Sequence, residues 1–401
     1  MTGHVAGRRV PLGRPAYLFL GAILISTLGA TFGLLGATAA IALAGGTTDG
    51  GLLTGIYLAT ALLAAAVSTP SCPQLCARWG VRATFVGAQA INAFAYAVAG
   101  GALLAGAPAL PTLLIAAPVF GATTGTSLVV RPLISQAYQA SDSTAHSYAR
   151  MSVALGLAAG LGGLLAGLAL NAIAFGWGLV INGLLTVPLV LTVARVAPAF
   201  EPPAPPSARR PWRAAWQRLS NDPRLRWSVA LGVGSVVFLA PIMGFVVPVA
   251  EGLRQGSAIP AAGLLIASFA VGELTAPWSV RYAQRRSTDL HAGQVAGALG
   301  GLMLIALAAC SALMTDRLEL IGWVLVCVPL GIFRFAARAL YVGAVADADG
   351  PEFATANFAA ADTVVMLMAP VGTMLFGLTL EGGAVYVALL VSGACAIAWN
   401  V

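Results

Sequence analysis

Residues 70–82 read Pro-Ser-Cys-Pro-Gln-Leu-Cys-Ala-Arg-Trp-Gly-Val-Arg and join two long apolar runs. The run that ends here is Leu52–Cys76, and the run that follows is Ala83–Leu104. A helix needs about 20 apolar residues to cross the hydrocarbon core of a bilayer, and both runs are long enough. The glycine and the arginines between them therefore predict a tight, positively charged turn between two membrane-spanning helices.

The composition extends this interpretation to the whole chain. Of its 401 residues, 59% are hydrophobic and only 9% are charged, and the mean hydropathy is +0.89. A soluble domain has roughly 25% charged residues. This composition excludes an ordinary soluble enzyme, a disordered chain and a nucleic-acid-binding protein, although the net charge is +7.

The apolar residues fall into separate runs of helical length. Strands of a membrane barrel would be about 10 residues long and would alternate apolar with polar residues. The runs do neither, so we predict an all-α integral membrane protein with twelve transmembrane helices. The runs are Tyr17–Leu43, Leu52–Cys76, Ala83–Leu104, Leu110–Tyr138, Met151–Leu170, Leu179–Val196, Trp227–Ala250, Ala261–Tyr282, Val295–Met314, Leu320–Ala346, Phe353–Leu378 and Ala384–Trp399.

The arginines predict the orientation of these helices. All 21 basic residues are arginine, and sixteen lie in the N-terminus or in every second loop, whereas the opposite loops hold only Arg254 and Arg317. Positive residues are enriched in cytoplasmic loops. We therefore expect a multi-pass protein of the plasma membrane with both termini and the central loop in the cytoplasm.

One long polar stretch divides the chain. It predicts an N-terminal six-helix bundle at residues 1–196, a cytoplasmic linker at 197–226 and a C-terminal six-helix bundle at 227–401. Within the linker, Pro198–Pro206 is proline-rich, and Ala208–Leu219 places Trp212 and Trp216 on one helical face. This second segment is either a short helix on the membrane surface or a disordered basic linker.

Short sequence matches between the two halves indicate that the two bundles are repeats. The segment from Pro277 to Arg285 matches the segment from Pro70 to Arg78 at an offset of 207 residues. Glycines in the fifth and eleventh runs match at an offset of 210. Each half has an even number of helices, so the repeats should be parallel, related by a pseudo-two-fold axis along the membrane normal.

The turn after the second helix resembles a motif of the major facilitator superfamily (MFS) of secondary transporters. Leu75, Arg78, Gly80 and Arg82 match, whereas Pro73 replaces a glycine and Ala77 replaces an aspartate that helps to latch the cytoplasmic side. The glycines of the fifth run also resemble the superfamily's exporter motif in a degenerate form, with close helix packing as the alternative. The resemblance implies a 6+6 fold that works by alternating access.

Five ionisable residues are predicted at membrane depth, where a charge is costly and usually functional. They are Arg131, Glu273, Arg334, Arg338 and Asp362. Glu273, Arg334, Arg338 and Asp362 form either a mutual ion-pair cluster or a proton-coupling or substrate site. Arg131 either meets this cluster across the interface of the two halves or binds an anionic substrate.

Further residues are candidates for the substrate cavity. Gln89 and Asn92 are polar residues in the third run, and hydrogen bonding between helices is their alternative role. The superfamily resemblance implies that helices one, four, seven and ten line the cavity, which adds Thr31, Arg131, Phe238 and Arg334.

No catalytic motif, cofactor motif or metal-ligand cluster is present in the sequence, so we do not expect an enzyme. The first hypothesis is a proton-coupled exporter of a small, largely apolar organic molecule in a bacterial inner membrane. It would act as a monomer, with the bilayer, the substrate and protons as its partners. The alternative is a transporter-like membrane protein without coupled transport, acting as a sensor or assembly partner.

Overall fold

The computed structural model describes residues 13–139, 144–200, 211–252, 258–314, 316–346, 348, 353–381 and 385–401. All regular elements in these residues are helices, and the described part of the chain contains no strand. The long apolar runs favour helices because a helix satisfies its own backbone hydrogen bonds where no water is available. The predicted all-α class is confirmed.

The first half contains six helices that are long and apolar enough to cross a membrane. The chain reverses between the first two, since a methyl group added to Gly50 would touch Ala42. The six are span 1 (Arg14–Gly45), span 2 (Gly50–Trp79), span 3 (Val81–Leu104), span 4 (Ala109–Gln139), span 5 (Arg150–Ala169, in a helix that begins at Thr144) and span 6 (Gly176–Arg195).

The second half follows a linker helix, Pro211–Asn221. Its members are span 7 (Pro223–Gly244), span 8 (the bent pair Ala258–Leu274 and Pro277–Gln284), span 9 (Leu290–Leu313), span 10 (Leu318–Ala346), span 11 (Ala354–Leu380) and the shorter span 12 (Val385–Asn400). Each predicted apolar run overlaps one of these helices or helix pairs in the described chain. Ten of them, or eleven with the bent pair, are long and apolar enough to cross a membrane, and Val385–Asn400 is a shorter apolar helix. This arrangement agrees with the predicted twelve-helix fold.

Two spans are less regular than their sequences suggest. Span 7 contains a π-helical segment, Ser235–Leu239, immediately before Pro241. Span 8 bends by 42° between its two helices, just before Pro277. Proline has no N–H to donate to the carbonyl four residues earlier, which here belongs to Glu273. The break in span 8 therefore lies beside one of the five buried ionisable residues.

The two halves meet through matching helix pairs. Span 5 packs against span 8, where a methyl group on Gly263 would overlap the carbonyl of Gly163. Span 2 packs against span 11, where a methyl group on Gly377 would lie 3.0 Å from the carbonyl oxygen of Gly51. A pseudo-two-fold axis that exchanges the halves carries span 5 onto span 11 and span 8 onto span 2. The two contacts are therefore equivalent under this symmetry.

The glycines of span 5 have a packing role in this arrangement. Gly156, Gly160, Gly163 and Gly167 face span 8, whereas Gly162 faces Thr31 of span 1. Small residues let helix backbones approach closely in a membrane, where apolar contact alone gives little preference for one neighbour over another. The glycines thus set the contact between the two halves.

Candidate functional site

The C-terminal half of span 10 carries two arginines that each form an ion pair with an acid from another span. Arg334 Nη1 lies 3.6 Å from Glu273 Oε1 of span 8, and Arg338 Nη1 lies 3.6 Å from Asp362 Oδ1 of span 11. The arginines are four residues apart, so both project from one face of the helix. Span 10 therefore links its two neighbours through buried charge.

The acids are more deeply buried than their partners. The side chains of Glu273 and Asp362 are 6% and 1% exposed, whereas those of Arg334 and Arg338 are 24% and 16% exposed. The accessible side of each pair is thus the positive one.

Two tyrosines that the sequence analysis did not select complete this cluster. Tyr341 donates a hydrogen bond of 2.6 Å to Asp362 Oδ1. The Arg338 guanidinium carbon lies over the Tyr341 ring, 4.7 Å from the ring centroid. Tyr148, which lies at the start of the span 5 helix in the other half, interacts electrostatically with Arg338. The spacing of Tyr341 from Arg338, one helical turn, is a sequence signal that could have identified the first tyrosine.

Arg131 of span 4 belongs to the first half, whereas the two ion pairs belong to the second half. It interacts electrostatically with Tyr148 and is repelled by Arg338, so it belongs to the same charged region. Its Nε atom is buried and has no hydrogen-bond partner among the described residues. Arg131, Glu273, Arg334, Arg338 and Asp362, with the two tyrosines, are hereafter called the charged cluster.

Some atoms of the charged cluster are buried without hydrogen bonds. Arg338 Nη1 and Asp362 Oδ2 have no partner within hydrogen-bond distance in the described structure. At 3.6 Å the two ion pairs are held by Coulomb attraction rather than by short hydrogen bonds. Unsatisfied buried charges of this kind are costly, which favours a role beyond stability.

The structure places the other cavity candidates between helices. Gln89 Nε2 donates to Ser127 Oγ at 2.9 Å, and Asn92 Oδ1 accepts from Thr123 Oγ1 at 2.9 Å. Both bonds join spans 3 and 4.

Thr31 and Phe238 are the remaining candidates from spans 1 and 7. Thr31 is buried and donates to the carbonyl of Thr27 at 3.1 Å. The ring of Phe238 packs against Trp399 of span 12, with 6.1 Å between the ring centroids. Of the residues proposed for the cavity, Arg131 and Arg334 are therefore the ones that the structure brings into the charged cluster.

The turn after span 2 is built around Gly80 and Arg82. Gly80 has a φ of +82°, which favours glycine, and ends the helix Cys72–Trp79 that contains Pro73 and Leu75. Arg82 donates to the carbonyls of Val193 (2.6 Å) and Ala194 (3.0 Å) at the end of span 6. Arg78 is exposed and lies over the Trp79 ring. Arg82 thus ties spans 3 and 6 together.

The linker helix contacts the second half. Ala215 and Leu219 are buried in the core, whereas Trp212 and Trp216 are exposed. Arg218 donates to Asn357 Oδ1 of span 11 at 2.8 Å. The two exposed tryptophans are suited to a membrane interface, and that location remains a prediction.

These features define a class of protein. Among the described residues there is no group of three or more metal-ligating side chains. Twelve apolar helices in two matching halves, with a cluster of charges buried where the halves meet, define a multi-pass membrane transporter. The chain belongs to the Major Facilitator Superfamily, whose family model matches residues 16–373. The predicted membership of this superfamily is thereby confirmed, and the superfamily is one of transporters rather than enzymes.

Solved structures share the fold at low sequence identity. The human organic anion transporter MFSD10 (TETRAN) is 13% identical with a TM-score of 0.68, covering 98% of this chain and 99% of its own. The proton:xylose symporter XylE is 11% identical with a TM-score of 0.69, covering 96% and 94%. The E. coli fucose:proton symporter FucP is 13% identical with a TM-score of 0.64, covering 96% and 97%. No curated protein matches the sequence.

Proposed function

We propose that this protein is a proton-coupled transporter of a small organic molecule and that Glu273 and Asp362 include the proton-carrying group. The observation that carries the proposal is the position of both acids, each buried beside an arginine. Among described residues inside the spans the only other acid is Glu319, at the start of span 10. Glu319 is therefore the one alternative carboxyl group for a coupled proton inside the described spans.

A proton-carrying carboxyl group must bind a proton in one state of the transporter and release it in the other. A guanidinium beside a buried carboxyl group favours the charged carboxylate, and without that guanidinium the neutral, protonated form is favoured. Alternating access moves the halves and their spans relative to each other. Moving Arg338 away from Asp362, or Arg334 away from Glu273, would therefore switch an acid between releasing and binding a proton.

The proposed direction is export, and the proposed cargo is largely apolar. Export rests on the degenerate glycine motif of span 5, and the apolar cargo rests on the aliphatic and small residues of the spans. FucP and XylE are proton symporters by name, which supports proton coupling on this fold.

The test uses proteoliposomes that hold a pH-sensitive dye, with an imposed pH gradient and a panel of small, largely apolar organic compounds, including benzoate, as trial substrates. We expect pH-driven accumulation of at least one compound by the wild type. Glu273→Gln or Asp362→Asn should keep substrate exchange and lose pH-driven accumulation, and Glu319→Gln is the matched control. Wild-type accumulation in both Glu273→Gln and Asp362→Asn would show that neither acid carries the proton.

A second function is favoured by one residue. Ala77 stands where the superfamily's loop motif has its aspartate, which fits a transporter-like protein without coupled transport, such as a sensor or assembly partner. Substrate binding to purified protein with no flux in proteoliposomes, at any pH gradient, would favour this alternative.

We also propose a monomer in a bacterial inner membrane with cytoplasmic termini. The arginine asymmetry supports this orientation. In a Cys395→Ser background, which removes the exposed native cysteine, a cysteine in place of Ala105 should react with an impermeant maleimide in intact cells. A cysteine in place of Ser220 should react only after permeabilisation. The reverse pattern would overturn the orientation.

A further inference from the structure

The charged cluster contains one more positive charge than negative. Arg334 and Arg338 are balanced by Glu273 and Asp362, and Arg131 has no acid within ion-pair distance among the described residues. The Arg131 side chain is half-buried, its Nε atom is buried without a hydrogen-bond partner, and a guanidinium without a counter-ion is costly at membrane depth. A bound anion would remove this cost.

The exposure of the side chains points to the same ligand charge. The guanidinium groups of Arg334 and Arg338 lie on the accessible side of their ion pairs, with the two acids behind them. A molecule that enters between the halves therefore meets positive charge first. Tyr148, which is half-buried, adds a hydroxyl group that can orient such a molecule.

The residues around Arg131 indicate that the part of the ligand outside its anionic group is apolar. Leu128, one turn before Arg131 on span 4, is half-buried against an apolar cluster that includes the fully buried Val130 and Ile134. This cluster continues into the second half through Val342 and Phe358. Binding sites for organic molecules are usually of this kind, mostly apolar with a few placed polar groups.

We propose that Arg131 binds the carboxylate of the transported molecule, which is a small organic monoanion with an apolar body. This inference rests on the proposed transport function and specifies its substrate class. A guanidinium can hold a carboxylate through two parallel hydrogen bonds, which a lysine cannot do. The anion cancels the excess charge of the cluster, and its apolar body contacts the core around span 4.

The experiment measures thermal unfolding of the purified full-length protein with sodium acetate, benzoate or octanoate. Sodium chloride at equal ionic strength and neutral benzamide are the comparison ligands. We expect benzoate and octanoate to raise the melting temperature of the wild type, and benzamide and sodium chloride to have no effect. If no carboxylate stabilises the wild type more than sodium chloride, the proposal is overturned.

Variants assign the effect to one side chain. Arg131→Gln should weaken benzoate binding by about 10- to 100-fold, and Arg131→Lys should weaken it less, since the lysine keeps the charge. Arg78→Gln, on the exposed loop, should bind as the wild type does. Equal binding by Arg131→Gln and the wild type would overturn the proposal.

The stability of the unliganded variant gives an independent readout. Removing an unpaired buried charge should leave Arg131→Gln at least as stable as the wild type without ligand. A variant that fails to fold would show that Arg131 has a structural partner, and the proposal would be wrong. If carboxylates bind through Arg131 but no pH-driven flux occurs, the binding proposal is supported and the transport proposal fails. If flux occurs without carboxylate binding, the transport proposal is supported and the binding proposal fails.

Discussion

Tyr341 Oη donates a hydrogen bond of 2.6 Å to Asp362 Oδ1, which joins spans 10 and 11 in the buried interior of the second half. The same carboxylate oxygen lies 3.6 Å from Arg338 Nη1. Asp362 therefore has a neutral donor that holds it in place and a cationic partner that balances its charge. The two interactions can be separated by substitution.

Tyr341→Phe removes the hydroxyl and leaves the ring under Arg338. Hydrogen bonds to charged groups contribute about 1.5–3 kcal/mol, so we expect a loss of stability of that order. Thermal unfolding in detergent measures it. Tyr17→Phe, at an exposed position of span 1, is the matched control and should leave the melting temperature unchanged. Equal melting temperatures for Tyr341→Phe and the wild type would mean that the bond contributes nothing.

Arg338→Gln should destabilise the protein more than Asp362→Asn. Asp362 is 1% exposed and would lose its only cation, whereas Arg338 is 16% exposed and keeps access to a polar surface. Breaking a buried pair costs about 3–5 kcal/mol when the remaining charge is uncompensated. The double variant Arg338→Gln/Asp362→Asn should recover most of the folded, monodisperse protein seen by size exclusion. A double variant as unstable as Arg338→Gln alone would contradict this expectation.

Arg82→Gln should loosen the C-terminal end of span 6. The guanidinium bonds two carbonyls, of Val193 and Ala194, and a cation near a helix C-terminus is also favoured by the helix dipole. We expect a loss of about 2 kcal/mol, measured by thermal unfolding. Arg78→Gln removes an exposed arginine from the same loop and should have little effect. A larger loss for Arg78→Gln than for Arg82→Gln would reverse the roles assigned to the two arginines.

Gly263→Ala should weaken the contact between the two halves. The added methyl group overlaps the carbonyl of Gly163 and approaches Gly167 of span 5. Overpacking of this kind costs about 1–3 kcal/mol, which thermal unfolding can detect. Gly87→Ala in span 3, where a methyl group meets nothing within 4 Å, should be neutral or slightly stabilising. An unchanged melting temperature for Gly263→Ala would show that spans 5 and 8 can separate without cost.

The sequence by itself determined the number of helices and the identity of the buried charges. A bilayer requires about 20 apolar residues for each crossing, so the apolar runs could be counted directly. Charged residues inside such runs are rare enough to be selected by inspection, which identified Arg131, Glu273, Arg334, Arg338 and Asp362. The parallel repeat also followed from the sequence, since Pro70 and Pro277 mark equivalent turns.

Only the tertiary structure decided which side chains meet. The pairing of Arg334 with Glu273 and of Arg338 with Asp362, and the contacts of Tyr148, depend on how each span is rotated about its own axis. Spans that are apolar on every side have no polar face to reveal that rotation. Gln89 and Asn92 illustrate the consequence, since the sequence left open a cavity position and the structure gives each a partner on span 4. Contacts between helices depend on how neighbouring spans pack together, and the sequence of a single span does not specify that packing.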